Sequence, residues 1–427
     1  MKINAINIPS NPYFVSFEFA VIYAGFGLFL AFNLYEKCKP IVRRLASHAL
    51  LPTLHEVLTS MEVKFSYLDR QFADIDAYLG DIRRVAEDGD FTLGAAVGEF
   101  EKDFAKFIGQ PHAVGVASGT DALILPMRLT GIGPGDEVIT CASTFIATLG
   151  AIAAVGATPV LVDCDDGFVI DVNQIEDAIT EKTKAILPVH YTGNVADMPS
   201  IMEIAARHGL LVFEDACQAL GASYEDTPVA SWGIASGFSL HPLKAINVWG
   251  DGGVVLTQDS ELAEELRLYR NHGLINRDEA EIFGVNSRLD TIQAVVGRRL
   301  IRDAEEITEN RIRVGERYDA AFRAMNGYIS VPRRKQEVRH VFHLYMLRVE
   351  RRDELFSHLN SRGIEAKVHY PKPIHLQEAS AELGYQRGCF PMTEEDADRI
   401  ISLPLHQYLQ ENEIDYVIEE VRNFYRT

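Results

Sequence analysis

Seven short β-branched runs follow one another from His112, and their alternation with helix-period segments constrains the fold more than any other feature of the chain. The runs are "HAVGVAS", "DEVITCA", "TPVLVDCD", "KAILPVHY", "LLVFEDA", "ASGFSL" and "GGVVLTQD". Segments such as "TDALILPMRLTG" and "SIMEIAARHG" lie between the first five and close on glycine, which helix C-termini favour. Such alternation predicts an α/β fold, a mostly parallel sheet covered on both faces, with ligands gathered at the C-terminal ends of its strands.

After residue 289 the character changes. A charged helix-period stretch from Leu289 to about Met325 predicts a bridging helix, and new strands and helices follow in "VFHLYMLRVE", "DELFSHLNSRG" and "AKVHYP". The expected organisation is an N-terminal extension (1–60), a large domain (61–310) and a smaller C-terminal α+β domain (311–427). A chain of 427 residues can bury a pocket deep enough for a cofactor.

The extension carries an apolar run within residues 14–35, densest from Phe19 to Phe32, a length ambiguous between a buried helix and a membrane span. Lys37, Lys39, Arg43 and Arg44 would hold its C-terminal side in the cytoplasm. A cleavable signal peptide fits badly, because Lys2 is the sole charge of the n-region. Two readings follow: a membrane-associating extension, or a reading frame begun upstream of a natural start at Met61.

With 61 acidic against 41 basic residues the chain carries a formal charge of −20, which repels nucleic acid. Cysteines at 38, 141, 164, 217 and 389 form no CxxC and no metal-ligand spacing, and they read as reduced thiols of a cytosolic protein.

Chemistry concentrates in "GFSLHPLKAINVWGDGG" (237–253), where Lys244 stands alone among apolar and small residues. A desolvated ammonium loses proton affinity and becomes an amine suited to Schiff-base formation, although a lone loop lysine also reads as a surface residue. Asp215 directly follows a buried-type strand in "LLVFEDACQALGA"; there a carboxylate could keep a pyridine nitrogen protonated, or cap a helix. In "VASGTDAL" a strand ends at Ser118 and a helix opens at Gly119–Thr120, so free N–H groups and the helix dipole meet at a junction suited to phosphate. Ser239 adds a hydroxyl five residues before Lys244, and Phe145 in "CASTFIAT" could stack on a flat ring or lie in the core.

These segments, with "GIGPGDEVIT", "GATPVLVD", "TKAILPVH", "NSRLDTIQA" and "HYPKPIHLQ", resemble the DegT/StrS family of nucleotide-sugar aminotransferases over roughly residues 61–427. The resemblance implies a fold-type I large domain with a mostly parallel seven-stranded sheet, and pyridoxal 5′-phosphate as cofactor. It implies that Lys244 forms the Schiff base and shuttles a proton, that Asp215 partners the pyridinium nitrogen, and that Gln218 contacts the ring's phenolic oxygen. Gly119, Thr120 and Ser239 match phosphate contacts, and Phe145 matches the stacking ring. Asn286 matches a residue that reaches the neighbouring subunit's cofactor, which implies a homodimer with shared sites. Arg288 is then placed for a substrate diphosphate, while His369 and Tyr370 resemble residues that hold the nucleotide-sugar. His190, at a strand end in "LPVHYTG", is a further candidate for facing the sugar. The chain departs from the family pattern after the lysine, where many relatives carry an immediate asparagine and this sequence reads "KAIN".

The expected activity is transfer of an amino group from an amino acid, glutamate in the first instance, to a keto-sugar nucleotide, with a lean toward C3, for amino-sugar or polysaccharide biosynthesis. Three rivals stand beside it: a sugar dehydratase of the same fold, a regulatory cofactor-binding protein without turnover, and a membrane-docked component recruited through residues 14–35. Known dehydratases of this type place histidine where this chain has Lys244, which argues against the first.

Overall fold

The structure, a computed structural model, describes residues 61–426; the apolar run at 14–35 and both readings attached to it lie outside the described residues. Each of the seven β-branched runs forms a strand. In chain order they are β1 (His112–Val116), β2 (Glu137–Cys141), β3 (Thr158–Val162), β4 (Thr183–Leu187) and β5 (Leu211–Asp215). After a short pair, β6 (Ser223–Tyr224) and β7 (Thr227–Pro228), come β8 (Ala235–Ser239) and β9 (Gly253–Thr257). The seven form one sheet in the order β1-β9-β8-β5-β4-β2-β3. Pairs from β8 to β3 are parallel, and β9 runs against both of its neighbours.

Helices cover both faces, as strands without polar alternation require. Neighbouring residues of β2 show the sandwich: Val138 packs in a cluster with the helices Gly119–Leu129 and Ile146–Ala154, and Ile139 in the opposite one with Ala95–Ile108 and Met198–His208. On the latter face Phe104 meets Phe238 edge to face at 5.4 Å. Truncating such a fully buried ring to alanine costs about 3–5 kcal/mol. The helix Met198–His208 stops where expected, at Gly209 in the left-handed conformation (φ 64°).

The single bridging helix expected after Leu289 is two helices, Thr291–Ile301 and Ala304–Phe322. Arg298 and Arg299 end the first, and Glu305 and Glu306 open the second. Each charge pair complements its own helix end, so the dipoles favour a break between them. The second helix joins two cores, contributing Ala304 and Ile307 to the large-sheet cluster and Val314, Tyr318 and Phe322 to the next.

That second core lies on an antiparallel sheet. Its strands are β10 (Ile329–Ser330), β12 (Tyr345–Val349) and β13 (Ile400–Leu403), while the intervening β11 (Val338–Arg339) pairs with β6 instead. Leu355 and Leu359 of one helix and Val417 and Val421 of the last helix pack here. The start of the described chain joins the same core, with Val63 bridged to Ile364. Among the described residues no helix is long and apolar enough to cross a membrane.

Candidate active site

The parallel strands deliver several side chains to one edge of the large sheet. Asp215 ends β5, Ser239 ends β8, Gly119 follows β1 and Phe145 follows β2. With Thr120, Gln218, Lys244, His369 and Tyr370 they line one cavity of about 400 Å³. Nine of the twelve residues singled out from sequence therefore meet in one place.

At one end of the cavity the helix Gly119–Leu129 begins. Ser118 caps it, accepting from the Asp121 N–H at 3.1 Å through its hydroxyl and from the Ala122 N–H at 3.0 Å through its carbonyl. The N–H groups of Gly119 and Thr120 have no acceptor among the described residues, which is the condition for binding an anion at a helix N-terminus. Glycine is required at 119 because a Cβ there would lie 2.6 Å from Ser239 Cβ and 3.1 Å from Cys217 Sγ. The turn and the Ser239 hydroxyl are thus packed into one cradle.

Lys244 sits on the connection from β8 to β9. Burial lowers the pKa of its amine, an effect that Cys217 and Asp215 nearby partly offset. The cavity therefore shifts this amine toward its neutral, nucleophilic form.

Asp215, 6% exposed, is held by two donors: the Thr148 hydroxyl on Oδ2 at 2.8 Å and the Cys217 N–H on Oδ1 at 3.2 Å. Thr148 in turn bonds Thr144 at 2.7 Å. Gln218 is fixed through its Oε1, which accepts the Thr192 N–H at 2.8 Å. Thr192 is a β-branched residue at φ 61°, a conformation that costs on the order of 1–3 kcal/mol and persists only where surroundings impose it.

The opposite wall is aromatic. Phe145, 49% exposed into the cavity, lies 5.7 Å from Tyr370, whose hydroxyl pKa is pushed up to about 12 by burial and then by Asp215. His369 is pushed down to about 4, chiefly by burial, and its Nδ1 is bonded to Ser402 at 2.9 Å.

Three expected residues are elsewhere. His190 is fully buried; Nε2 bonds Glu214 at 3.0 Å and Nδ1 accepts the Ala196 N–H at 3.3 Å. Glu214 also accepts from Ala230, Trp232, Gly233 and Ser236, so His190 completes a core polar knot and does not face a sugar. Asn286 is exposed and bridges Asn271, and Arg288 donates to the Asn271 side chain at 3.0 Å; neither reaches the cavity of its own chain. Conversely Tyr67, Arg311 and His343 line the cavity although nothing local in the sequence marked them. Burial, then the nearby Lys244 and Arg311, hold the His343 imidazole well below the usual histidine range.

The residues present fit a phosphorylated pyridine aldehyde: an amine shifted toward its free base, a fixed carboxylate, an unpaired helix N-terminus packed against a hydroxyl, and an aromatic wall. The sequence profile of the DegT/DnrJ/EryC1/StrS aminotransferase family matches residues 74–422. The chain is 43% identical over 338 residues to a pleiotropic regulatory protein of Geobacillus stearothermophilus, covering 79% of this chain and 91% of the relative. It is 41% identical over 365 residues to the dTDP-3-amino-3,4,6-trideoxy-alpha-D-glucose transaminase of Streptomyces venezuelae, covering 85% and 95%. Among solved structures it is similar to S. venezuelae DesV, with a TM-score of 0.83 at 40% identity, covering 86% of this chain and 99% of that one.

Proposed function

The chain belongs to the DegT/DnrJ/EryC1/StrS aminotransferase family, and on that premise we propose that it moves an amino group from glutamate to the C3 ketone of a nucleotide-linked sugar. It is an aminotransferase, and pyridoxal 5′-phosphate is its cofactor. The observation that carries the reading is the shared cavity of Lys244 and Asp215, with the amine's pKa lowered by burial and the carboxylate held by two donors.

When bound, the cofactor supplies an electron sink for the carbon that loses its proton. Lys244 would hold the cofactor through its aldehyde, with loss of water, and its amine would move the proton at the substrate carbon. Asp215 would hold a proton on the ring nitrogen. The N–H groups of Gly119 and Thr120 and the Ser239 hydroxyl would hold the phosphate, Phe145 would stack on the ring and Gln218 would meet its phenolic oxygen. His369 and Tyr370 hold the sugar end of the second substrate.

Asn286 and Arg288 act in a second copy's site. Exposed apolar side chains flank them, Phe283 wholly exposed and Val285 at 37%, which suits a homodimer interface. The C3 preference is supported by the name of the S. venezuelae relative. The free thiols among the described cysteines suit a cytoplasmic enzyme of amino-sugar biosynthesis.

Glutamate added to the purified holoenzyme should bleach its visible band, and a dTDP-linked 3-keto sugar should restore it. A band unchanged by every amino donor would favour the regulatory alternative, and restoration by a 4-keto sugar alone would overturn the C3 assignment.

A further inference from the structure

The carbonyl oxygen of Lys244 accepts two side-chain hydrogen bonds from residues that the proposed chemistry does not use. Tyr67 Oη donates at 2.8 Å and Asn247 Nδ2 at 2.9 Å. Asn247 is fully buried, and behind it runs a directional relay. Gln71 Nε2 donates to Asn247 Oδ1 at 2.8 Å, Gln407 Nε2 to Gln71 Oε1 at 3.1 Å, and Arg311 Nη1 to Gln407 Oε1 at 2.9 Å. All of these side chains are buried, and the Arg311 guanidinium also lies over the Tyr67 ring, 5.8 Å from its centre.

The relay has one polarity from end to end. A guanidinium donates into it and a backbone carbonyl closes it, so each bond polarises the next in the same sense. Arg311 finds neutral acceptors throughout, namely Gln407 and the carbonyls of Phe342, His343 and Leu405. A network this completely satisfied fixes a single geometry, because loosening any member leaves a buried donor or acceptor unpaired.

We propose that Asn247, Tyr67 and the Gln71–Gln407–Arg311 relay are positioning residues that hold the backbone at Lys244, setting where its amine meets the cofactor aldehyde. The inference rests on the assignment of Lys244 as the covalent lysine. It gives "KAIN" a physical meaning: the asparagine three residues after the lysine turns back onto the lysine's own carbonyl. It also brings three distant parts of the chain to one reactive residue: residues 67–71, the helix Ala304–Phe322 and the segment after β13.

The test uses the full chain stripped of cofactor and reloaded with pyridoxal 5′-phosphate. Tyr67→Phe removes one donor and keeps the ring, Asn247→Asp removes the other and keeps the shape, and the double variant removes both. Borohydride trapping at timed intervals reads the rate of covalent capture, visible-region circular dichroism reads the fixed pose, and a thermal melt reads folding. Each single variant should slow capture roughly tenfold, since a displacement of the order of an ångström at a reacting group has effects of that size or more. Both should weaken the visible dichroism, and the double variant should fall short of the product of the singles because both donors hold one oxygen.

A capture rate within twofold of wild type in Tyr67→Phe, which keeps Asn247, would overturn the proposal, even if the variants carrying Asn247→Asp proved too unstable to isolate. Peptide mapping of the wild-type adduct separates the two levels. A label on a lysine other than Lys244 would overturn the underlying assignment, whereas a label on Lys244 with unaffected variants would overturn the network alone.

Discussion

The Thr148 hydroxyl donates to Asp215 Oδ2 across 2.8 Å, joining the first turns of the helix after β2 to the last residue of β5. Thr148 therefore fixes the direction of a carboxylate from a neighbouring layer of the fold. Thr148→Val keeps the shape and removes the donor, and an unpaired buried acceptor costs about 1–3 kcal/mol. The expected outcome is cofactor affinity reduced roughly tenfold with a smaller loss in melting temperature, measured by equilibrium dialysis and calorimetry. Unchanged affinity would show that Cys217 N–H alone orients Asp215.

Gly119→Ala tests the phosphate cradle. Its methyl would sit 2.6 Å from Ser239 Cβ, so either the helix start or the end of β8 must shift. Cofactor retention should fall roughly tenfold or more while the far-ultraviolet circular dichroism is unchanged, because the clash is confined to the turn.

The pH dependence of stability follows from buried neutral histidines. His369 and His406 are each pushed down to about 4 by burial. The unfolded chain takes up protons near the ordinary histidine pKa of about 6.5, where these native imidazoles do not. Stability is thus fully present above about pH 6.5 and is lost as pH falls toward 4, by on the order of 1–3 kcal/mol per group. His406→Asn retains an acceptor for the Tyr408 N–H that His406 Nδ1 now binds, and it should flatten the curve of melting temperature against pH over that window.

His190→Leu should act on stability and leave substrate recognition alone. It strips one partner from a fully buried Glu214, and breaking a buried polar pair costs about 3–5 kcal/mol. A melting temperature several degrees lower with unchanged KM for the keto-sugar is expected; a raised KM with unchanged stability would return His190 to the substrate site.

The contrast between Asp215 and His190 shows what the sequence could carry. Strand ends mark an edge of the sheet, and that was enough to bring Asp215 to the cavity. They do not say which way the last side chain turns, and the His190 ring turns toward Glu214 on the neighbouring strand. Glycine punctuation located the junction at Gly119 because its signal is local. Tyr67 lies 177 residues from Lys244, and Gln407 lies 336 from Gln71, so their meeting is a product of tertiary packing with no short-range imprint. The break between Ile301 and Ala304 was legible in the charges, with arginines before it and glutamates after it, but a continuous helical period masks such a signal.

The reversed direction of β9 has a mechanical consequence. Because β9 lies between β1 and β8, its first residue, Gly253, pairs with Ser239, and the chain that leaves one must return to the other. Leu240 N–H bonds Gly252 carbonyl at 2.8 Å just inside those anchors, and Gln293 grips both the N–H and the carbonyl of Trp249. Lys244 is thus slung from a closed span with both feet on the same sheet. Its side chain can swing through four single bonds while its root stays put, so the reach of its amine is set by the length of a lysine and not by the opening of a domain.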